Sequence, residues 1–208
     1  MKIMVLLLLI AGTEPYESRH PNGKLREKGV MLDGQRHGRW RAWYRTGQLA
    51  MMNHYEKGVL HGAYKTFHHT GEVHVAATYK KGKFHGRHVS LYPNGQKHHD
   101  WRYVDGVLQG NVNRTYWVSG KLQSETRILN RELQIELRLR YHENGKKESE
   151  GTFKNGQHDG EWSSWHSNGR PRQEIHYKNG RRDGWDRYWH VSGRLESERF
   201  FKNGKAAK

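Results

Sequence analysis

Large apolar residues recur along the chain in two columns, separated by polar segments rich in glycine. The first column lies three residues before a glycine and contains Met31, Tyr55, Tyr79, Tyr103, Phe153, Tyr177 and Phe201. The second lies four residues before another glycine and contains Trp43, Phe67, Leu91, Tyr116, Tyr141, Trp165 and Trp189. These residue types favour strands, and each lies in a run of about 6–9 residues bounded by Gly, Asn and Asp. The pattern therefore predicts a series of β-hairpins.

Three columns of glycine keep the same phase. The glycines of the first column are spaced by 24 or 25 residues, at Gly23, Gly47, Gly71, Gly95, Gly120, Gly145, Gly169 and Gly193. A second glycine follows eleven residues later in seven of the eight copies, and a third follows four residues after that in six of them. Fixed periods of this length indicate a repeat architecture. Such glycines fit positions where the backbone needs a positive φ or passes close to a neighbour.

Residues 143–169 contain one complete copy of the unit. A polar turn at Asn144-Gly145 is followed by an extended run that ends near Phe153, and then by an expected loop from Gly156 to Gly160. A second extended run carries Trp162 and Trp165. Stacked copies would align equivalent aromatic residues, and cross-strand aromatic pairs contribute about 0.2–1 kcal/mol each.

The fifth copy departs from this pattern, because Arg131 and Ile135 replace its second and third glycines. One extra residue also enters each flanking segment, so we expect a bend or a widened turn between about Val112 and Tyr141. Within the same copy, strict alternation of apolar and polar residues predicts a strand that includes Leu133, Ile135, Leu137 and Leu139.

The fold class predicted from these patterns is all-β, an elongated single-layer antiparallel sheet of about eight tandem β-hairpin repeats. Residues 14–208 would form the repeat array, irregular near residues 112–141. Residues 1–13 differ, because Lys2 precedes an apolar run and small residues follow at Ala11-Gly12-Thr13. This is the form of a short signal peptide, which would place the protein in the periplasm or outside the cell. The alternative is an apolar N-terminal strand on a cytoplasmic protein.

Three short segments resemble the MORN-repeat variant and the YwqK-type antitoxin family that contains it. They are Asn22-Gly23-Lys24-Leu25, Tyr177-Lys178-Asn179-Gly180 and Gly160-Glu161-Trp162. The resemblance covers residues 16–208 and implies consecutive antiparallel hairpins in a curved sheet. It also implies binding roles, since members are described as antitoxins of toxin–antitoxin systems and related MORN proteins as scaffolds or acidic-lipid binders.

The residue types disfavour an enzyme or a metalloprotein. Cysteine is absent, which excludes disulfides and thiolate chemistry, and nothing supplies Ser119, Ser164 or Ser192 with an oriented base. Five of the sixteen histidines precede equivalent turns, at His20, His68, His142, His166 and His190. Equivalent positions in stacked hairpins are about 9–10 Å apart, too far to share one metal ion. We expect polar positions on a strand face, no metal site and no cofactor.

The formal charge of +16 allows several partners. Lys and Arg occur in every copy, so part of the charge serves solubility. A basic and aromatic surface also suits an acidic protein, acidic phospholipid or single-stranded nucleic acid. Even spacing of the charges disfavours a dedicated nucleic-acid groove. A protein partner, in one version a toxin, is the leading hypothesis, and association with anionic lipid is the second.

Partner-binding residues are predicted from the second aromatic column. At least one aromatic column should pack within the sheet, whereas in a single layer the opposite face stays open to a ligand. Trp43, Trp165 and Trp189 are the candidate anchors on that open face, and their neighbours Tyr44, His166 and His190 can form hydrogen bonds.

Overall fold

The structure is a computed structural model that describes residues 12–207. The chain divides into two compact units, Met1–Gln109 and Gly110–Lys208. The predicted signal-peptide segment, residues 1–13, lies outside the described residues except for Gly12 and Thr13. Thr13 already belongs to the first strand. Over residues 12–207 the chain forms no helix, so none there is long and apolar enough to cross a membrane.

The first unit is a series of antiparallel strands in chain order. Its strands are β1 (Thr13–Arg19), β2 (Leu25–Leu32), β3 (Gln35–Trp43), β4 (Leu49–Glu56), β5 (Val59–Phe67), β6 (Val73–Lys80), β7 (Lys83–Phe84), β8 (Gly86–Leu91), β9 (Lys97–Val104) and β10 (Val107–Gln109). Each strand pairs with the next, except that β6 pairs with both β7 and β8, which His85 separates.

The second unit continues the same arrangement. Its strands are β11 (Val112–Tyr116), β12 (Leu122–Asn130), β13 (Ile135–Tyr141), β14 (Lys147–Lys154), β15 (Gln157–Trp165), β16 (Pro171–Lys178), β17 (Arg181–Trp189), β18 (Leu195–Lys202) and β19 (Lys205–Ala206). Each pairs antiparallel with its successor. The predicted all-β fold of antiparallel hairpins is therefore confirmed.

The second glycine column forms tight two-residue turns. Leu32 pairs with Gln35, and both residues between them have positive φ, 49° at Asp33 and 73° at Gly34. Positive φ at both central positions defines a type I′ turn, whose twist matches that of the flanking strands. The same arrangement recurs at Lys57, Lys81, Asp105, Asn155, Asn179 and Asn203, each followed by a glycine of positive φ.

The prediction of a loop from Gly156 to Gly160 is wrong. Only Asn155 and Gly156 form the turn, and Gly160 lies inside β15 with a φ of 95°. The pairing of β14 with β15 shifts register between Gly151 and Phe153, opposite this glycine. Gly160 therefore belongs to a bulge, in which residues 159–161 lie opposite Thr152 alone and the positive φ increases the local twist.

Each unit has one packed face and one open face. The packed face of the first unit carries Trp40, which is 3% exposed, with the ring of Tyr16 at a centroid distance of 5.1 Å and that of Tyr55 at 6.3 Å. The packed face of the second carries Trp162 and Ile175, which are directly paired. The packed faces of the two units both include residues of the first aromatic column, so that column packs within the sheet.

Two glycines outside the three phased columns lie beneath tryptophan rings on the packed faces. A Cβ at Gly29 would lie 2.4 Å from Cδ2 of Trp40, and a Cβ at Gly151 would lie 2.5 Å from Cδ1 of Trp162. Real Cβ atoms do not approach that closely, so these positions accept only glycine while the rings stay in place.

The irregular fifth copy contains the predicted widened turn. Asn130 pairs with Ile135, and the four residues between them, 131–134, form a turn where other copies use two. Gln134 has a φ of 49° and takes the left-handed position. Leu133 lies in this turn and is 54% exposed, so its assignment to a strand is wrong. Without the two glycines, the chain needs a longer path to reverse.

Candidate functional site

The histidines that precede the turns connect successive copies. Nε2 of His20 lies 2.8 Å from the carbonyl oxygen of Trp43, and Nε2 of His68 lies 2.9 Å from that of Leu91. Tyr44 and Trp117 occupy the same place in other copies and donate to the carbonyls of Phe67 and Tyr141. These side chains hold turns together, which corrects their interpretation as polar groups of a strand face.

Asparagine and lysine side chains of the turns add to these connections. Nδ2 of Asn144 donates to the carbonyl of Ser167 at 2.7 Å, and Nζ of Lys146 donates to that of Asn168 at 2.7 Å. Asn22 and Lys24 make the equivalent bonds in the first unit. The polar turns therefore form a continuous hydrogen-bonded edge within each unit, which explains why Asn-Gly and Lys recur there.

The two predicted binding histidines have different surroundings. His166 is half-buried, and its Nε2 lies 2.9 Å from the carbonyl oxygen of Trp189. His190 is exposed, and its Nδ1 lies 3.0 Å from Oγ of Ser192. One ring nitrogen of His166 is thus already engaged in connecting two copies.

The three predicted tryptophans lie on the open faces. Residues two apart along a strand share a face, so Trp43 lies with Arg41, Trp165 with Ser163, and Trp189 with Arg187, opposite the buried residues. All three tryptophans are half-buried. At these three positions the second aromatic column therefore lies on the face opposite the buried residues.

Trp165 borders a shallow cavity in the second unit. The cavity has a volume of about 370 Å³, and its lining includes Leu137, Glu150 and Glu161. Nζ of Lys147 lies 5.1 Å from the centre of the Trp165 ring and also pairs with the Glu150 carboxylate. The charges of Lys147 and Glu150 beside this ring therefore neutralise each other, whereas Glu161 forms no ion pair within residues 12–207.

The open face of the first unit has a different charge balance. Arg41 pairs directly with Met52, and Met52 with Lys65, in a row across β3, β4 and β5. Arg39 lies two residues before Arg41 on the same face and borders, with Met52 and Lys65, a cavity of about 480 Å³. Within residues 12–207, the side chains of Arg39, Arg41 and Lys65 form no ion pair or hydrogen bond.

A neighbouring charge on this face is neutralised, in contrast to the row. Arg87 lies 2.7 Å and Lys97 3.0 Å from Oδ2 of Asp100. The hydrogen bond from Arg87 holds the pKa of Asp100 well below its usual range, and Lys97 acts in the same direction. The cations around Met52 are thus available to an external anion, whereas Arg87 and Lys97 are not.

Histidine also occurs on the packed face of the first unit. His99 is 8% exposed, stacks on Trp101 at a centroid distance of 4.0 Å, and has Nε2 3.0 Å from Nδ1 of His88. Burial lowers the pKa of His99 to about 4, and the nearby His88 and His98 act in the same direction. This group is part of the packing and not of an exposed binding surface.

One group of three side chains with possible metal-ligand atoms lies among the described residues. Donor atoms of Glu161, Glu174 and His176 all lie within 4.8 Å of one another. A comparison of equivalent histidines in successive copies does not reveal this group, because it combines side chains of two neighbouring strands. The available signal was Glu-x-His in β16, because its two side chains share a face.

Comparison with known protein families matches the MORN repeat variant at residues 36–57, 60–81, 137–155 and 159–179. A comparison with curated proteins finds no match. Each matched segment covers most of one strand, the turn that follows it and the next strand. The match thus coincides with the hairpins of the fold, and the chain is a MORN-repeat protein.

Proposed function

We propose that the protein is a non-enzymatic binding module that holds an acidic segment of a partner protein on the open face of its first unit. The observation that carries this proposal is the unpaired basic row around Met52. Arg39, Arg41 and Lys65 are exposed and unpaired, and Trp43 lies on the same face of β3. No partner charge within the described residues satisfies these three cations.

The chemistry of this surface suits carboxylates next to apolar or aromatic side chains. Arg39 and Arg41 can each bind a carboxylate through two parallel N–H groups, and Lys65 offers a point charge. Met52 and Trp43 supply apolar area between and beside them. Exposed ion pairs contribute only about 0.2–1 kcal/mol each, so the apolar contacts must contribute a comparable share.

The shape of the surface favours binding over catalysis. The cavity at Met52 is a shallow depression on a sheet face, whereas catalytic sites hold their groups in a cleft that excludes water. MORN repeats are typical of binding modules, and the repeated hairpins supply a rigid platform for such contacts.

The antitoxin role is the specific form of binding that we propose first. It rests on the resemblance to the antitoxin family, and the partner would then be a toxin with an acidic, partly apolar docking segment. A toxin encoded beside this protein is the first partner to test.

The test compares two double variants that remove the same charge. Arg41→Gln with Lys65→Gln removes the unpaired row, whereas Lys57→Gln with Lys81→Gln removes two lysines at hairpin tips. Glutamine fits the tips, because Gln134 adopts the same φ. Proteins captured from the native host by the full chain are identified, purified and titrated with each variant.

We expect the row variant to bind an acidic partner about tenfold more weakly, corresponding to two lost ion pairs, and the tip variant to bind as the wild type does. Equal losses in both variants would show that only net charge matters. Binding to phosphatidylserine vesicles with no captured protein would favour the anionic-lipid hypothesis, which the same basic row supports.

A further inference from the structure

We infer that Glu161, Glu174 and His176 form a binding site for a divalent transition-metal ion on the open face of the second unit. The site is separate from the basic row of the first unit, and its existence does not depend on the proposed function. Three donors of this kind leave at least one coordination position of a four-coordinate ion such as Zn²⁺ open.

The strand pairing brings the three side chains together. Glu161 of β15 pairs directly with His176 of β16, and Glu174 lies two residues before His176 on the same face. Their donor atoms lie within 4.8 Å of one another. Bonds to Zn²⁺ are about 2.0–2.2 Å long, so side-chain rotations that shift each donor by roughly 1 Å complete the geometry.

Contacts around the site orient two of the ligands. Nδ1 of His176 lies 3.4 Å from the carbonyl oxygen of Trp185 and, as the donor to it, leaves Nε2 available to the ion. Oε1 of Glu161 accepts a hydrogen bond from Ser163 at 3.0 Å. Metal-binding histidines commonly donate their second N–H to a backbone carbonyl, which fixes the ring and its tautomer.

The backbone beside the site is shaped for His176. A Cβ at Gly184, in the neighbouring β17, would lie 2.7 Å from Cβ of His176. Glycine at this position therefore leaves room for the His176 side chain at the sheet surface.

Charge also favours a cation at this position. Two carboxylates share the site, and NH1 of Arg187 lies 3.8 Å from Glu174, whereas its Nε lies 2.5 Å from Glu198. Arg187 is thus bound more closely to Glu198, and Glu174 is only weakly neutralised. One imidazole with two carboxylates suits Zn²⁺ and related ions better than Mg²⁺ or Ca²⁺, which prefer oxygen donors alone.

The chain contains its own control for this site. In an earlier copy, Arg39 pairs with His54, and Met52 lies two residues before His54. This is the backbone arrangement of the site, where Glu161 pairs with His176 and Glu174 lies two residues before His176. His54 therefore has an equivalent position, with Arg39 and Met52 in place of the two carboxylates. A metal bound nonspecifically by histidine would respond to both histidines alike.

The experiment is a titration of the full chain with Zn²⁺ by calorimetry, repeated with Co²⁺ and visible absorption. The variants are Glu174→Gln, which keeps the side-chain shape, His176→Gln and the matched control His54→Gln. Circular dichroism and thermal unfolding check that each variant is folded.

We expect the wild type and His54→Gln each to bind one equivalent of Zn²⁺ tightly. Glu174→Gln and His176→Gln should bind this ion at least about tenfold more weakly. Tight binding unchanged in both site variants, or lost equally in His54→Gln, would overturn the assignment. So would the absence of any tight equivalent in the wild type. If one site variant does not fold, the other and Glu161→Gln decide the outcome.

Discussion

Nε2 of His142 lies 2.9 Å from the carbonyl oxygen of Trp165, so the turn of one copy holds the strand end of the next. A carbonyl oxygen only accepts, and the imidazole must therefore donate its N–H. Protonation of the ring keeps this donor. The bond links two consecutive hairpins, neither of which is stable alone, and so adds to the coupling between repeats on which such arrays depend.

Replacing His142 with alanine should destabilise the protein by about 0.5–1.5 kcal/mol, the usual contribution of one hydrogen bond. The measurement is the free energy of unfolding from urea denaturation followed by tryptophan fluorescence. His54→Ala is the control, because His54 is exposed and makes no side-chain hydrogen bond within the described residues. Equal losses in the two variants would contradict a role for the bond in linking copies.

The architecture was predictable because its causes are local. Type I′ turns need two residues of positive φ, and the sequence marks them with glycines in fixed phase. Strand alternation then assigns the two aromatic columns. The role of Gly160 was mistaken because a glycine of positive φ looks the same in sequence whether it lies in a loop or in a strand bulge.

The sites were harder to predict because they depend on register between strands. Glu161 and His176 are fifteen residues apart and become neighbours only through the pairing of β15 with β16. Whether Arg41 forms an ion pair likewise depends on which residue of the next strand lies opposite it. That residue is Met52 and not a carboxylate, which the sequence alone does not reveal. The sequence assigns Trp43 to a face of the sheet, but it does not show which residues surround it.

The contact between Gly151 and Trp162 predicts a strongly coupled pair. Gly151→Ala should destabilise the protein by about 1–3 kcal/mol, because the added Cβ displaces the indole ring above it. In a Trp162→Leu background the smaller side chain can shift, and the same substitution should cost less. Urea denaturation of the four proteins of this double-mutant cycle gives the coupling energy. A coupling near zero would mean that the ring does not limit the residue at this position.

A substitution at a hairpin tip should stabilise the protein. Lys81 has a φ of 50°, a conformation that costs most residues roughly 1 kcal/mol, and asparagine adopts it more readily. Asn155, Asn179 and Asn203 occupy the equivalent place in other copies. Lys81→Asn should therefore raise the free energy of unfolding by about 0.3–1 kcal/mol.

The matched control for the tip is Lys83→Asn, two residues later in β7. It removes the same charge, but asparagine is unfavourable in strands, so no gain is expected. If both variants stabilised the protein, the effect would come from the loss of charge from a strongly basic chain and not from the backbone conformation at the tip.

The buried His99 predicts a loss of stability in mild acid. Its pKa in the folded protein is about 4, whereas an unfolded histidine titrates near about 6.5. Between these values the unfolded chain takes up a proton that the folded protein does not, so stability falls as the pH falls through this window. For this residue alone the loss is at most about 1.4 kcal/mol by pH 5.5.

His99→Gln should remove that part of the decline, measured by urea denaturation at about pH 7.5 and about pH 5.5. Burial also lowers the pKa values of His74, His88 and His158, so the variant should keep a shallower slope of the same sign. His190→Gln, at an exposed position, is the control and should follow the wild type. A His99→Gln curve parallel to the wild type would show that the decline arises elsewhere.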